Sequence, residues 1–175
     1  EGGWSIKNLH RLIMLSATYQ QSSDQDPATA KLDPDNVLLT HFNRQRLDWE
    51  ATRDSLLAAA GRLDATMFGR PVDFLSSTRR TIYGFIDRQN LPGVMRSFDF
   101  ASPDTTSPQR FTTTVPQQAL FLMNSPFAVE QAQHLVRRAE VSNETDPARR
   151  IAQIYRIAFD RTPTPDEIAL GARFI

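Results

Sequence analysis

The dipeptides Ser125-Pro126, Asp146-Pro147 and Thr164-Pro165 each place a short oxygen-bearing side chain directly before a proline. An N-cap oxygen accepts from an orphan amide of the first helical turn, and a proline in that turn gives up no donor the helix needs. Three helix starts in the last third therefore commit it to helix, over about 126–140, 147–160 and from 165 onward. Thr164 followed by Glu167 adds a capping box, and each cap contributes about 1 kcal/mol. Thr114-Val115-Pro116-Gln117 has the same cap-then-glutamine spacing and predicts a further helix over about 116–123. These helices direct Leu120, Phe121, Phe127, Leu135, Ile151, Ile154, Tyr155, Ala158, Phe159 and Ile168 toward a core.

The first third reads in a similar way. Ser5 is an N-cap for a helix whose Ile6, Leu9, Ile13 and Ala17 recur at three-and-four spacing, with Leu12 and Met14 beside them, and such a face is expected to pack hard. Gln20 to Lys31 has no periodic apolar face and reads as a loop. Asp33-Pro34 predicts a short helix through Phe42. After a break near Asn43 a longer helix runs to about Ala60, with Trp49, Leu56, Leu57 and three alanines on its apolar side and Gly61 as a left-handed stop. Arg62 to Ser77 reads as loop.

Only the middle mixes strand, loop and charge. Thr81 to Asp87 alternates β-branched and aromatic residues with apolar side chains on both faces, as a central strand would, and Phe111 to Val115 is the other β-rich run. Paired, the two would bracket residues 88 to 109, too long a structureless loop for a compact domain unless it is functional or holds a short helix near Pro92 to Ser97. The fold class is then mainly α: a multi-helix single domain over 1–175 with a small two-stranded β element in the middle of the chain.

At 175 residues and 40% hydrophobic composition the chain is long enough for one sizeable core. Formal charge is zero, and arginines scatter as pairs such as Arg79-Arg80 and Arg137-Arg138, so no basic track for a nucleic acid is expected. Zero cysteine excludes disulfides, thiolate metal sites and covalent haem attachment in these residues. No apolar run approaches the roughly 18 residues of a membrane-spanning helix, and the first residues lack the layout of a signal peptide. Both ends fall abruptly against helical patterns, which predicts a piece of a longer protein.

Candidate chemistry gathers in the bracket, where Asp87, Arg88, Asn90, Arg96, Asp99, Asp104 and Arg110 come close to a balance of carboxylate and guanidinium. A long loop without backbone ladders needs side-chain partners, and arginine forks bind carboxylates in pairs, so structural ion pairing is the leading reading. A ligand-binding site ranks next. Catalysis ranks last: hydrolysis with Asp99 and Asp104 or Asp87 as acid and base, which for a glycosidic bond needs carboxyls roughly 5–10 Å apart in an open cleft. Asp99, Asp104 and Thr105 are also hard oxygen ligands of the kind calcium takes, yet no EF-hand spacing is present. His10, His41 and His134 lie far apart without metal spacing; no GxSxG elbow and no glycine-rich phosphate loop occurs. No cofactor is expected. Trp4, Trp49, Phe74, Phe98, Phe100 and Phe174 exceed what one core readily takes, so some are expected at an interface or, more weakly, as a platform for sugar stacking.

Three phrases in order, GWSIKNLHRLIMLSATYQQSS, FNRQRLDWEATRDSLLAAAGRLD and RRTIYGFIDRQNLPGVMRSFDFASPD followed by TTVPQQALFLMNSPF, resemble the planctomycete family called Domain of Unknown Function 1553 from Gly3 to about Ile175. The resemblance implies the C-terminal half of a large exported protein that often carries a cytochrome-c-like domain, hence an extracytoplasmic setting. The family's activity is unknown, so the resemblance carries no catalytic residues over to this sequence. The partners it leaves are upstream domains of the same chain, a polysaccharide, or another exported protein, without membrane insertion by this segment.

Overall fold

The computed structural model describes residues 3–174. Contacts gather into two compact units, Glu1–Arg46 and Leu47–Ile175.

In the first unit, Ser5 accepts from the Asn8 amide at 3.3 Å and starts α1, Ile6–Met14. The expectation that its apolar face packs hard is not met: no residue of α1 is buried, and Ile6, Leu9 and Ile13 are 69%, 53% and 47% exposed. Residues read as loop contain α2, Pro27–Leu32, capped by Asp26, which accepts from the Thr29 amide at 3.1 Å and the Thr29 hydroxyl at 2.9 Å. Conversely, the helix expected from Asp33-Pro34 to Phe42 does not form. Asp33 is buried and its carboxylate accepts from the amides of Val37 (2.9 Å) and Leu38 (2.8 Å). Asn36, also buried and at φ +51°, accepts from the Thr40 amide (2.8 Å) and donates to the His41 carbonyl (2.8 Å). Short polar side chains thus take over the bonds a helix would have made and turn the chain instead.

The second unit is organised on α3, Trp49–Ala59, which begins later than its pattern predicts because Asp48 is the cap, accepting from the Ala51 amide at 2.8 Å. Gly61, at φ +71°, ends it as expected. The buried residues of α3 are Trp49, Arg53 and Leu57, one stripe at four-residue spacing. Trp49 joins Phe74, Leu91, Met95 and Phe98 in a buried cluster, with Phe98 tilted at 5.0 Å and Phe121 edge-on at 5.1 Å between ring centroids.

Thr81 to Asp87 is not a strand. It opens as a 3-10 turn, Thr81–Tyr83, and Phe111 to Val115 has no strand character either. Among the described residues only isolated parallel bridges occur, Val72 with Gly84 and Asp64 with Arg79. The reason is competition for the backbone from side chains distant in sequence. The Asp54 carboxylate takes the Thr81 amide (2.8 Å) and hydroxyl (2.6 Å), while Arg53 donates to the Phe74 (2.7 Å) and Arg79 (2.9 Å) carbonyls. Side chains of α3 therefore hold the start of the segment, and past the turn Tyr83 and Phe85 share backbone bonds with Val72 alone, too few for a ladder.

The short helix expected near Pro92 is present as α4, Gly93–Ser97. Next come α5, Pro116–Asn124, and α6, Pro126–Arg137; then α7, Ala139–Ser142, α8, Pro147–Phe159, and α9, Pro165–Ala172. Ser125, Asp146 and Thr164 cap α6, α8 and α9 as their sequence predicts, the last with a complete capping box. Thr114 does not cap α5: Val115 holds that position without a side-chain bond. Ile151 is buried as expected, but Leu120 and Phe159 are 55% and 62% exposed.

Candidate functional site

The charged mid-chain segment is fixed at its C-terminal end by a group outside it. Arg110 reaches back to the first turn of α3, where its two terminal nitrogens donate to the two Glu50 oxygens at 2.9 and 2.7 Å, and Asp48 lies at 3.7 Å. This fork-to-fork pairing is the strong form of an arginine–carboxylate contact. The Glu50 hydrogen bonds hold the Arg110 guanidinium above its ordinary pKa. Its plane also lies 4.7 Å from the centre of the Phe100 ring.

Asp99 follows α4 in left-handed backbone, φ +58°, a conformation that costs aspartate less than most residues. Its carboxylate accepts from the Thr113 amide at 2.7 Å and the Thr113 hydroxyl at 2.8 and 3.0 Å. Those bonds close the segment on itself. Gln118 is fully buried behind it and donates to the Ser97 carbonyl at 2.7 Å, tying α5 to the end of α4.

The remaining sequence candidates are distributed more widely. Asp87 accepts from the Gln89 amide at 2.9 Å, a local turn. Arg88 meets Asp104 at 3.4 Å in a pair whose side chains are both largely exposed. Asn90 and Arg96 are exposed and their side chains have no polar partner among the described residues. Arg96, Asp99 and Arg110 line one hollow of about 690 Å³ with Phe100, Phe111, Ser102 and the stretch 105–109. Asp87, Arg88, Asn90 and Asp104 do not line it.

Beside it, on the other side of Phe100 and Arg110, is a second hollow of about 470 Å³ with the carboxylates of Asp48, Glu50 and Asp54 and the guanidinium of Arg80 in its wall. Each of those carboxylates is engaged: Asp48 caps α3, Glu50 holds Arg110, and Asp54 accepts from Thr81 with Arg80 at 3.9 Å.

The most committed cation of the unit was not among the sequence candidates. Arg53 is 0% exposed and donates to the carbonyls of Phe74, Arg79 and Ser77, to the Thr81 hydroxyl at 3.0 Å, and to Asp54 at 3.4 Å. Burial lowers its pKa, with the Asp54 charge acting in the opposite sense; an arginine stays protonated even so. One signal was available: an arginine in the middle of the Trp49, Leu57 stripe either interrupts a core or is satisfied inside it. Arg79 works in the same manner, stacked 4.2 Å from the Tyr83 ring and donating to the carbonyls of Arg70 (3.2 Å), Thr66 (3.1 Å) and Phe68.

Among the described residues no group of three or more His, Asp or Glu side chains is placed to hold a metal ion, and no helix is long and apolar enough to cross a membrane.

These features define a class: a mainly helical protein whose long irregular segments are held by arginines acting on backbone carbonyls and carboxylates. The chain belongs to the family described as a protein of unknown function (DUF1553), whose model matches residues 1–175. No curated protein and no solved structure matches it.

Proposed function

We propose that the chain is a non-catalytic binding or structural module of a larger exported protein. The observation that carries this reading is how the acids of the mid-chain segment are engaged. Asp99 is engaged by Thr113, Asp104 faces Arg88, and Arg110 is clasped by Glu50. A hydrolase of the two-carboxylate kind needs a pair of acids facing one open cleft, whereas here Asp99 and Asp104 turn to different partners and only Asp99 lines the hollow.

The uncovered apolar side of α1 supports a role in association, since a contiguous exposed apolar face marks a surface that is covered in the working protein. Its partner in this reading is the upstream part of the same protein. The extracytoplasmic setting, the planctomycete source and the cytochrome-c-like companion domain rest on the family resemblance; a polysaccharide or another exported protein is the external partner.

Asp99→Asn and Asp104→Asn, singly and together, separate the two roles. The module reading expects a lowered Tm for Asp99→Asn, near-native melting for Asp104→Asn, and no release of reducing sugar from any polysaccharide by the parent chain. Glycan hydrolysis by the parent that both variants abolish at unchanged Tm would refute it.

A further inference from the structure

The hollow of about 690 Å³ between Arg96 and Phe111 is of a size that takes a small ligand, and its chemistry is one-sided. Two of its three charged groups are already engaged, Asp99 by Thr113 and Arg110 by Glu50. The third, Arg96, is exposed and has no polar partner among the described residues. A guanidinium in that state presents a planar fork of donors suited to a carboxylate or a sulfate.

The rest of the wall is uncharged and of two kinds. Thr105, Thr106 and Gln109 offer hydroxyl and amide groups. Phe111, 84% exposed, offers an apolar ring that nothing in the unit covers. An exposed ring beside hydroxyls and one cation matches a sugar that carries an anionic substituent: its C–H face lies on the ring, its hydroxyls exchange bonds with the threonines, and its acid meets the guanidinium. The walls are held in advance, because Arg110 is fixed to α3 and Asp99 ties residue 113 back to the end of α4. Ordering on binding then falls mainly on the Arg96 and Phe111 side chains.

We infer that this hollow binds an acidic oligosaccharide, with Arg96 taking the anionic group and Phe111 stacking on the sugar face. The assignment deepens the module reading above by naming the class of its external partner.

Calorimetric titration of the whole chain with an oligogalacturonate, its methyl ester and a sulfated galactan oligosaccharide that carries no uronate tests it. Saturable binding of the uronate and weak or no binding of the ester is the expected result. Binding of the sulfated sugar with the same dependence on Arg96 extends the ligand to sulfate as the anion source. Arg96→Gln and Phe111→Ala each weaken binding by roughly tenfold or more, while Arg96→Lys and Phe111→Trp retain most of it. Both positions are exposed, so all four variants should melt with the parent; if Phe111→Ala does not, the Trp variant decides.

No binding of either anionic sugar, equal binding of the ester, or binding unchanged in Arg96→Gln would overturn the assignment and leave the module reading in place. Cleavage of the bound sugar would do the reverse: the site would stand and the non-catalytic reading would fall.

Discussion

Replacing Arg53 by methionine removes the donor that three backbone carbonyls, those of Phe74, Ser77 and Arg79, share inside the protein. Methionine fills much of the arginine's volume but donates nothing. Each acceptor left unpaired away from water costs about 1–3 kcal/mol, and Asp54 loses its contact at 3.4 Å with a fully buried cation. Removing one member of a buried charged pair typically costs about 3–5 kcal/mol. Water reaches part of the Ser77 and Arg79 side, since those bonds are only part-buried, so the lower figures apply there and the sum stays near 3–5 kcal/mol. For a chain of this length that is a drop in Tm of roughly 6–20 °C.

Urea unfolding followed by tryptophan fluorescence measures it. In a Trp4→Phe background the remaining tryptophan is Trp49, 0% exposed and on the same helix as Arg53, so the signal reports the Leu47–Ile175 unit. Arg53→Lys, which keeps the charge but has no fork, should fall between parent and Arg53→Met. A loss below about 1 kcal/mol for Arg53→Met would refute the reasoning, because it would mean that the 73–81 segment holds its shape without the guanidinium.

Other outcomes follow from single contacts. Arg110→Ala breaks the fork on Glu50 and uncovers Phe100; because the pair is partly exposed the cost is about 1 kcal/mol, read by thermal melting, and residues 99–113 should become sensitive to protease. Glu167 is held down to about 2 from its ordinary 4.5, by the Arg161 hydrogen bond first and by the Thr164 amide next. A depressed carboxyl contributes stability above 4.5 that is lost as pH falls toward 2, so carbon NMR should find its midpoint near the lower value, and a midpoint near 4.5 would contradict the clasp. Thr164→Ala removes one arm of the α9 capping box and should cost about 1 kcal/mol in urea unfolding.

What could be read from the sequence is what local chemistry decides. Ser5, Ser125, Asp146 and Thr164 cap helices where expected because an N-cap needs only its own first turn. Asp26-Pro27 carries the same signal, but the six residues it starts have no periodic apolar face to support it, so the stretch reads as loop in the sequence. The strand pair failed for the opposite reason. Residues 81–87 have the composition of a strand, but the Thr81 amide goes to Asp54 of α3, 27 positions earlier, and the backbone of Tyr83 and Phe85 meets only Val72 beyond the turn, which no window on the segment reveals. In the charged segment, ion pairing was expected within the bracket and occurs there for Arg88 with Asp104. The two contacts that fix it are longer in sequence: Arg110 with Glu50, 60 residues apart, and Asp99 with Thr113, 14 apart. A charge count finds the candidates; only the path of the chain chooses the partners.

The central claim is that residues 99–113 are built into the helical body as architecture. Native-state hydrogen exchange at the Thr113 amide, which donates to Asp99 at 2.7 Å, tests it most directly. The account predicts protection well above that of an unstructured amide in the parent, and its loss in Asp99→Ala while the amides of α3 stay protected. Exchange of the Thr113 amide at the rate of an open chain in the parent itself would contradict it.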